Sequence, residues 1–434
     1  MTSYPTYMRF KFFAKFSSCL VFLLALLSLS SVNAQFRVDV SGVGFTQVPI
    51  SIAAFKGEAV STQKISAIVA ADLERSGQFR QIDAGAVTLD ENTQPDMSAF
   101  RQKAVDVMAA GSVTRLADGR FDVRFRLWDV VKGSNLGGAS HVVTAPNLRL
   151  AAHKVSDYIY EKLTGEKGIF STKIAYVTKS GASYTLWTAD ADGENAIAQL
   201  RNTEPIISPA WSPNGAQLAY VSFESRKPEV WVFDLNTRAR RLIAGFKGSN
   251  SGPSWSPDGR TLAITLSRDG NSQIYSVAAS GGEPTRLSRS EGIDTEATYS
   301  ADGKSIYFMS DRGGSPQIYR MSSSGGSATR VTFSGNYNIS PTLSPDGKWL
   351  AYISRAGGGY KLFVMDLSTG AAKAITDTNA DEKPSFAANS KLIVYATKFQ
   401  GREALMATTI DGRVSKLGGV GGDIREPAWA PMSN

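Results

Sequence analysis

The 434-residue sequence contains one cysteine and two histidines. A single cysteine cannot form an intramolecular disulfide or a Cys-x-x-Cys metal site, and two histidines leave little material for zinc coordination or imidazole catalysis. The sequence also lacks the Gly-x-Ser-x-Gly element of α/β-hydrolases and the phosphate-binding Walker A loop. Much enzyme chemistry is therefore disfavoured. The remaining composition, 42% hydrophobic and 20% charged, is typical of a soluble globular protein with two or three domains.

The amino-terminal segment has the pattern of a secretory signal peptide. Basic residues precede an apolar run and then small residues, in the order Arg9, Lys11 and Lys15, Cys19 to Leu29, Val32 and Ala34. This order predicts a signal peptide over residues 1–34, with cleavage before Gln35. A retained membrane anchor is the alternative, but an apolar run of about eleven residues is short for a span of ~20. Cys19 stands at the start of the apolar run and not after it, which disfavours a lipoprotein signal.

Cleavage at that point removes the cysteine and 34 of the 434 residues, which leaves 400. A chain without thiols suits an oxidising bacterial periplasm, which is the expected location. The removed segment carries three basic and no acidic residues, so the formal net charge falls from +8 to +5. Lysine and arginine are scattered without a basic cluster, which predicts a solvated surface and no nucleic-acid partner.

Residues 35–165 alternate strand-like and helix-like patterns, which predicts an α+β domain of about 130 residues. The expected strands cover residues 36–40, 50–55, 123–131 and 141–143, and the expected helices cover residues 64–76, 97–110 and 148–163. Gly77 stands where a helix C-cap is expected. His141 and His153 fall in this domain as ordinary structural residues, and residues 166–172 form the expected linker.

Beyond the linker, a motif of proline, a small residue, an aromatic residue and a Ser-Pro-Asp-Gly turn recurs at a nearly constant interval. Its strong and weak copies begin at Pro209, Pro253, Ala297, Pro341, Pro384 and Pro427, at intervals of 44 or 43 residues. In the turn, proline sets φ and glycine supplies a positive φ. Four short strands for each repeat of ~44 residues are typical of a β-propeller.

The repeat count predicts six blades over residues 173–434. The segment after residue 173 lacks its own proline-aromatic strand, whereas the carboxyl-terminal segment Pro427-Ala428-Trp429 has no other blade to join. The last strand is therefore expected to close the ring by completing the first blade. The predicted fold is an α+β N-terminal domain followed by an all-β six-bladed β-propeller.

The loops that lead into the first strand of each blade are expected to gather at the mouth of the central channel. They combine polar groups with a tyrosine and an arginine, which favours a protein-docking surface over a small-molecule pocket. The candidate residues are Glu204, Ser249, Asn250, Gly252, Asp294, Thr295, Glu296, Tyr337, Asn338, Asp381, Glu382 and Arg425. Their carboxylates could hold a divalent cation through oxygen ligands. Solvated loop acids are the plainer interpretation, and no other cofactor is expected.

The signal peptide, the α+β domain, the six Ser-Pro-Asp-Gly repeats and the segment Phe36-Arg37-Val38-Asp39-Val40-Ser41-Gly42 together resemble the TolB family of Gram-negative periplasmic proteins. The resemblance covers essentially the whole mature chain. It implies a non-enzymatic, monomeric member of the Tol-Pal system, which supports outer-membrane integrity and constriction during cell division. It also implies that the propeller binds the lipoprotein Pal and that some bacteriocins imitate Pal at the same channel mouth.

By the same resemblance, the segment 35–44 contacts TolA, and the residues assigned to this contact are Gln35, Phe36, Arg37, Val38, Asp39 and Val40. Ser249, Gly252 and Thr295 stand at positions that match the Pal-docking loops, although Ser249 replaces a larger polar residue. Gly42 and Gly44 flank the strand and offer little resistance to its detachment. The hypothesis is that Pal binding biases docking or release of this segment and so controls access of TolA.

Two alternatives come from other classes of protein. A peptidase-like propeller would need a catalytic domain, which the sequence does not show. A glycan-binding or lyase propeller is expected to carry clustered tryptophan and histidine on the channel rim. Trp211, Trp255 and Trp429 instead occupy repeat positions that indicate packing inside the blades.

Overall fold

The structure is a computed structural model that describes residues 47–83, residue 85 and residues 87–432. The predicted signal peptide and the segment 35–44, with the six residues assigned to TolA, lie outside this range. Within the described part of the chain, no helix combines the length and apolar character needed to cross a bilayer.

The N-terminal region is built on a five-stranded sheet with the strand order β3-β1-β5-β6-β7, and a separate two-stranded pair joins β2 to β4. The elements of this region are β1 Val48–Ile52, β2 Ala54–Phe55, α1 Ile65–Arg75, β3 Phe79–Gln81, β4 Thr88–Leu89, α2 Met97–Gln102, β5 Val107–Arg115, β6 Phe121–Asp129, β7 Ser134–Val143 and α3 Leu148–Thr164, with short 3₁₀ turns at Glu58–Val60 and Ala145–Asn147. Helices α1 and α3 contact each other and the sheet. Helix α3 ends at Gly165, whose φ of 75° is the left-handed cap that glycine adopts without strain.

The prediction of a helix over residues 97–110 is wrong. The helix ends at Gln102, Ala104 has a φ of 55°, and Val107–Arg115 is the strand β5. Strand β5 pairs in parallel with β1 and antiparallel with β6, and its first five residues, Val107 to Gly111, are all buried, so both of its faces are covered along this stretch. A strand buried on both faces has a continuous apolar run, which sequence periodicity cannot distinguish from a buried helix. Strand β7 is likewise longer than predicted, because it begins at Ser134.

The rest of the chain forms a six-bladed β-propeller, which confirms the predicted fold class. Its strands are β8 Lys173–Ser180, β9 Ser183–Asp190, β10 Ile197–Asn202, β11 Ile206–Trp211, β12 Gln217–Ser222, β13 Glu229–Asp234, β14 Arg240–Ala244, β15 Asn250–Trp255, β16 Thr261–Leu266, β17 Gln273–Ala278, β18 Thr285–Arg286, β19 Asp294–Tyr299, β20 Ser305–Ser310, β21 Gln317–Ser322, β22 Thr329–Arg330, β23 Asn338–Leu343, β24 Trp349–Ala356, β25 Gly359–Asp366, β26 Ala372–Ala374, β27 Glu382–Phe386, β28 Leu392–Phe399, β29 Arg402–Thr409, β30 Val414–Lys416 and β31 Asp423–Trp429. Blade one is β31-β8-β9-β10, and blades two to six follow in chain order, each with four consecutive strands. The turn glycines Gly215, Gly259, Gly303 and Gly347 have φ of 68°, 70°, 69° and 71°.

The first and last strands of the propeller share one sheet. Strand β31 pairs antiparallel with β8, with Trp429 opposite Ile174. The indole nitrogen of Trp429 donates to Thr172 Oγ1 at 2.9 Å, and the backbone nitrogen of Ala430 donates to Lys173 O at 2.8 Å. Ring closure therefore joins residues that are about 250 positions apart without a covalent link.

The N-terminal region contacts one end of the propeller. Arg149 of α3 lies 3.3 Å from Asp190 at the end of β9, and Glu166 lies 3.1 Å from Lys391 in the first turn of blade six. Asp190 lies at the turn between the third and fourth strands of blade one, and Lys391 lies in the turn between the first and second strands of blade six. Because neighbouring antiparallel strands run in opposite directions, the loops between blades lie at the other end. We call these loops, which join a fourth strand to the next first strand, the inter-blade loops.

Candidate functional site

Six residues, one from each innermost strand, surround the central channel. They are Ser208, Gly252, Glu296, Ser340, Lys383 and Glu426, and we call them the channel ring. Each lies at a register shift of its strand and has a φ between 45° and 56°. A residue other than glycine in this conformation costs on the order of 1–3 kcal/mol, and such strain is concentrated at functional sites. The ring lines a cavity of about 590 Å³.

Glu296 is the most heavily bonded acid of the channel ring. Its carboxylate accepts hydrogen bonds from the backbone nitrogen of Ser340 at 2.7 Å and from Lys383 Nζ at 3.0 Å. Burial alone would raise the pKa of Glu296, but the Lys383 ammonium and the Ser340 donors hold it below its ordinary value. Burial would lower the pKa of Lys383, but Glu296 and Glu426 raise it above the ordinary value. Both side chains are therefore charged at neutral pH.

Glu426 repeats the geometry of Glu296 on the other side of the ring. Its Oε2 accepts from the backbone nitrogen of Ser208 at 3.2 Å and from Ser208 Oγ at 3.4 Å. Each glutamate thus bonds a serine of the following blade. Gly252 contributes no side chain, so the ring is lined most sparsely between Ser208 and Glu296.

Four candidate residues from the sequence do not face solvent. Asn250, Asp294, Asn338 and Asp381 lie two positions before a ring residue and are no more than 2% exposed. Their partners are Phe246 for Asn250, Arg312 for Asp294, Gln317 and Ser334 for Asn338, and Leu362 and Thr376 for Asp381. The expectation of solvated loop acids is therefore wrong for Asp294 and Asp381. These side chains hold the inter-blade loops in place from inside the blades, as buried polar groups require.

The other candidates line the channel mouth or lie next to it. Glu204, Ser249, Gly252, Thr295, Glu296, Tyr337 and Glu382 are half-buried, and Arg425 is exposed. Thr295 shares a hydrogen bond of 3.2 Å with Thr265, and Arg425 donates to Asp423 at 2.9 Å. This set brings neutral polar, acidic, basic and aromatic groups to one end of the propeller.

Comparison with known proteins agrees with this architecture. Residues 160–433 match the family described as the TolB β-propeller domain, and residues 36–136 match the TolB amino-terminal domain. A Tol-Pal system protein TolB from Polaromonas naphthalenivorans is 75% identical, over 95% of this chain and 97% of the relative. One from Albidiferax ferrireducens is 74% identical, also over 95% of this chain and 97% of the relative. The chain belongs to the TolB family.

A crystal structure of TolB from Acinetobacter baumannii has a TM-score of 0.82 and 40% sequence identity, and the match covers 89% of this chain and 97% of that chain. The resemblance noticed in the repeats is thus confirmed at the level of the family and of the fold.

Sequence reasoning missed three exposed apolar or aromatic residues at the inter-blade-loop end of this TolB-family propeller. Ile293 is 45% exposed, Phe333 is 75% exposed and Tyr360 is 39% exposed. Phe333 lies in an inter-blade loop that also contains Tyr337, and a second aromatic residue among serine, glycine and asparagine is the signal that could have revealed it. Its ring lies 5.4 Å from the Arg330 guanidinium. Exposed aromatic residues on a polar surface are typical anchors of protein interfaces.

A buried ionic cluster connects the N-terminal region to blade one. His153 Nδ1 lies 2.7 Å from Asp72 Oδ2, and His153 Nε2 faces Asp190 and Asp192 at 3.7 and 4.0 Å. Burial alone would lower the pKa of His153, but the charges of Asp72, Asp190 and Asp192 raise it to about 9. Asp72, His153 and Asp192 are close enough together to hold a metal ion. The Arg149 guanidinium already bonds Asp190 and Asp192, so the carboxylates of this cluster are paired with the positive charges of Arg149 and protonated His153 without a metal ion.

Proposed function

We propose that this TolB-family chain is a non-enzymatic periplasmic hub of the Tol-Pal system, and that it binds the lipoprotein Pal at the inter-blade-loop end of its propeller. The observation that supports this proposal is the channel ring, in which five residues other than glycine hold a strained φ at the end of the channel cavity that is nearest the inter-blade loops. The ring lies away from the turns that the N-terminal region contacts. The shared name of the relatives, Tol-Pal system protein TolB, supports the assignment to this system.

The chemistry of the inter-blade-loop end suits a protein partner. Half-buried polar residues such as Thr295 and Ser249 surround the ring, and Phe333 and Ile293 add exposed apolar area. Such a combination of apolar anchors and polar rim is typical of protein interfaces. In this role the protein supports outer-membrane integrity and constriction during division, and bacteriocins that imitate Pal would use the same surface.

Calorimetric titration of the mature chain with the soluble domain of Pal from the same bacterium tests the proposal. Thr295→Arg places bulk and charge beside the ring and is expected to weaken binding at least tenfold. Ile197→Arg is the matched control, because Ile197 is 53% exposed on the outermost strand of blade one, far from the channel mouth. No heat of binding with the unaltered chain, or equal affinity for both variants, would count against Pal docking at this surface.

The TolA part of the proposal concerns residues 35–44. We propose that this segment binds TolA and that Pal binding at the propeller biases its docking or release. A chain starting at Gly44 is expected to lose TolA affinity relative to a chain starting at Gln35. The same titration with saturating Pal measures the coupling, since linked sites change each other's affinity by the same factor. Equal TolA affinity of the two chains excludes this role.

The divalent cation at the channel mouth stays a prediction. Glu296 and Glu426 offer carboxylate oxygens, which Ca²⁺ prefers, but Lys383 Nζ already lies 3.0 Å from Glu296. Titration with CaCl₂ at fixed ionic strength, followed by calorimetry and by the melting temperature, tests it. A Glu426→Gln variant that keeps any observed Ca²⁺ binding would place the ion elsewhere.

A further inference from the structure

A second cavity opens beside the channel ring between blades five and six. It has a volume of about 350 Å³, and its charged and aromatic lining includes Tyr337, Tyr360, Glu382, Glu403 and Arg425. Three of these residues, Tyr337, Glu382 and Arg425, are candidates that the sequence placed on the docking surface. The cavity therefore belongs to the inter-blade-loop end, and its chemistry differs from that of the ring.

Two tyrosines form one wall of this cavity. The rings of Tyr337 and Tyr360 meet edge to face with centroids 5.9 Å apart. Tyr360 is tied by its backbone to the inter-blade loop of blade six, because its nitrogen donates to Asn379 O at 2.9 Å and its oxygen accepts from Asp381 N at 3.0 Å. The adjacent Gly359 permits this approach, since a Cβ there would lie 2.5 Å from Asn379 O. The aromatic wall is thus held in place before any ligand arrives.

The charged groups of the cavity are unevenly paired. Arg425 bonds Asp423 through two nitrogens at 2.9 Å each, and Asp381 is committed to Leu362 and Thr376 inside blade six. Lys398 Nζ lies 3.7 Å from Glu403. Glu382 faces Glu426, Arg425, Glu403 and Lys383, of which Lys383 bonds Glu296. Glu382 therefore has no cation of its own among the basic side chains that line or adjoin this cavity.

The pKa of Glu382 reflects this imbalance. Burial is the largest cause that raises the pKa of Glu382, and the negative charge of Glu426 is the next. The positive charge of Arg425 lowers the pKa, but the result is still about 7. A carboxyl group that is partly desolvated without a counter-ion destabilises its own charged form, and such groups are concentrated at binding and catalytic sites.

The propeller repeat does not demand an acid at this position. The residues at the equivalent position of the other blades are Ile207, Ser251, Thr295, Ile339 and Arg425. They include aliphatic, hydroxyl and basic side chains, so blade geometry accepts many residue types here. Glu382 is consequently a departure from the repeat that packing does not explain.

We propose that this cavity is a subsite for a lysine or arginine side chain of the protein that docks on the propeller, with the cationic group at Glu382 and the stem against Tyr337 and Tyr360. The proposal rests on the docking function above. A cation beside tyrosine rings is attracted by their faces, and a carboxylate at the end of the cavity adds a charged hydrogen bond. A bound cation favours the ionised form of Glu382, so binding releases a proton when the pH is below about 7.

The first test uses a small probe and does not depend on Pal. Nα-acetyl-arginine methylamide is titrated into the mature chain while the ¹³C resonance of the Glu382 carboxyl group is followed by NMR. The probe is expected to lower the titration midpoint of Glu382 and to shift the Tyr360 ring signals. Nα-acetyl-norleucine methylamide, which has a similar stem and no charge, is the ligand control. The proposal fails if the two probes have the same effect, or if Glu382→Gln leaves the Tyr360 shifts unchanged.

The second test measures Pal affinity between pH 6 and pH 8. The unaltered chain is expected to gain roughly tenfold in affinity as Glu382 ionises, and the Glu382→Gln variant is expected to lose this gain. Tyr360→Phe keeps the ring and is expected to bind as the unaltered chain does, whereas Tyr360→Ala weakens binding. Identical pH profiles of the unaltered chain and Glu382→Gln overturn the subsite. If the arginine probe binds and Pal does not, the docking proposal fails while the cation site stands.

Discussion

Lys383 Nζ lies 3.0 Å from Oε1 of Glu296, so an ammonium group of blade six is bonded to a carboxylate of blade four. The two residues are 87 positions apart and occupy equivalent places in the repeat. Because Glu426 also acts on Lys383, the channel ring contains one cation between two acids. The channel ring thus carries a formal net charge of one negative unit, since Lys383 offsets one of its two glutamates.

Replacing Lys383 by methionine is expected to destabilise the propeller. The change leaves Glu296 and Glu426 without their shared cation, which costs roughly 1–3 kcal/mol because both side chains of the Lys383–Glu296 pair are mostly shielded. Urea unfolding at pH 7 measures the loss. Lys398→Met is the control, since the Lys398 side chain is 63% exposed and lies 3.7 Å from Glu403, so its removal should change stability by less than about 1 kcal/mol. Equal losses in the free energy of unfolding for both variants would show that the Lys383–Glu296 pair stabilises the protein no more than an ordinary surface pair.

The raised pKa of His153 leads us to expect that the free energy of unfolding depends on pH. Its folded-state pKa of about 9 exceeds the value of 6.5 for an unfolded chain, so its contribution is complete below pH 6.5 and is lost as the pH rises to about 9. The expected loss is on the order of 3 kcal/mol. Urea unfolding at pH 6, 7.5 and 9 measures it.

A His153→Asn variant should be less stable at pH 6 and should lack this decline. His141 supplies a control of opposite sign, because burial lowers its pKa and its contribution is lost on the acid side. A variant His153→Asn with the same decline as the unaltered chain would assign the pH dependence to other groups.

Deleting residues 427–434 is expected to open the ring. The deletion removes Trp429, which is 6% exposed, together with its hydrogen bond to Thr172 and two of the five residue pairs between β31 and β8. The melting temperature should fall by about 10 °C or more, since a loss of several kcal/mol lowers it by ~2–4 °C for each kcal/mol in a protein of this size class. Trp429→Phe should show a smaller decrease. A truncated chain that melts like the full mature chain would mean that closure adds nothing to stability.

Phe333 is expected to be an anchor for the docked partner. Its ring is 75% exposed on an inter-blade loop, so Phe333→Ala removes contact area with little effect on folding. Pal affinity should fall about tenfold, as for a typical interface hot spot. Ile197→Ala, which removes an exposed apolar side chain from the outermost strand of blade one, should leave affinity unchanged. If only the Ile197 variant loses affinity, Pal binds at the outer surface of blade one and not at the inter-blade loops.

The propeller could be predicted because its signals are local. The 44- or 43-residue interval comes from turns in which Gly215 and Gly259 need a positive φ, and neighbouring residues determine that requirement. The N-terminal region was harder to predict. The segment from Val107 has an apolar run that fits a helix or a buried strand, and only its pairing with β1 and β6 decides between them.

The sequence by itself determined the repeat, the number of blades and the end of the propeller at which polar loops gather. The tertiary structure decided which of those polar residues are available. Asp294 and Asp381 look like Glu296 and Glu382 in the sequence, yet the first two are buried within blades while Glu296 joins the ring and Glu382 lines a separate cavity. The physical reason is that burial and ion pairing depend on side chains 40 to 90 residues apart, which meet only when whole blades pack against each other.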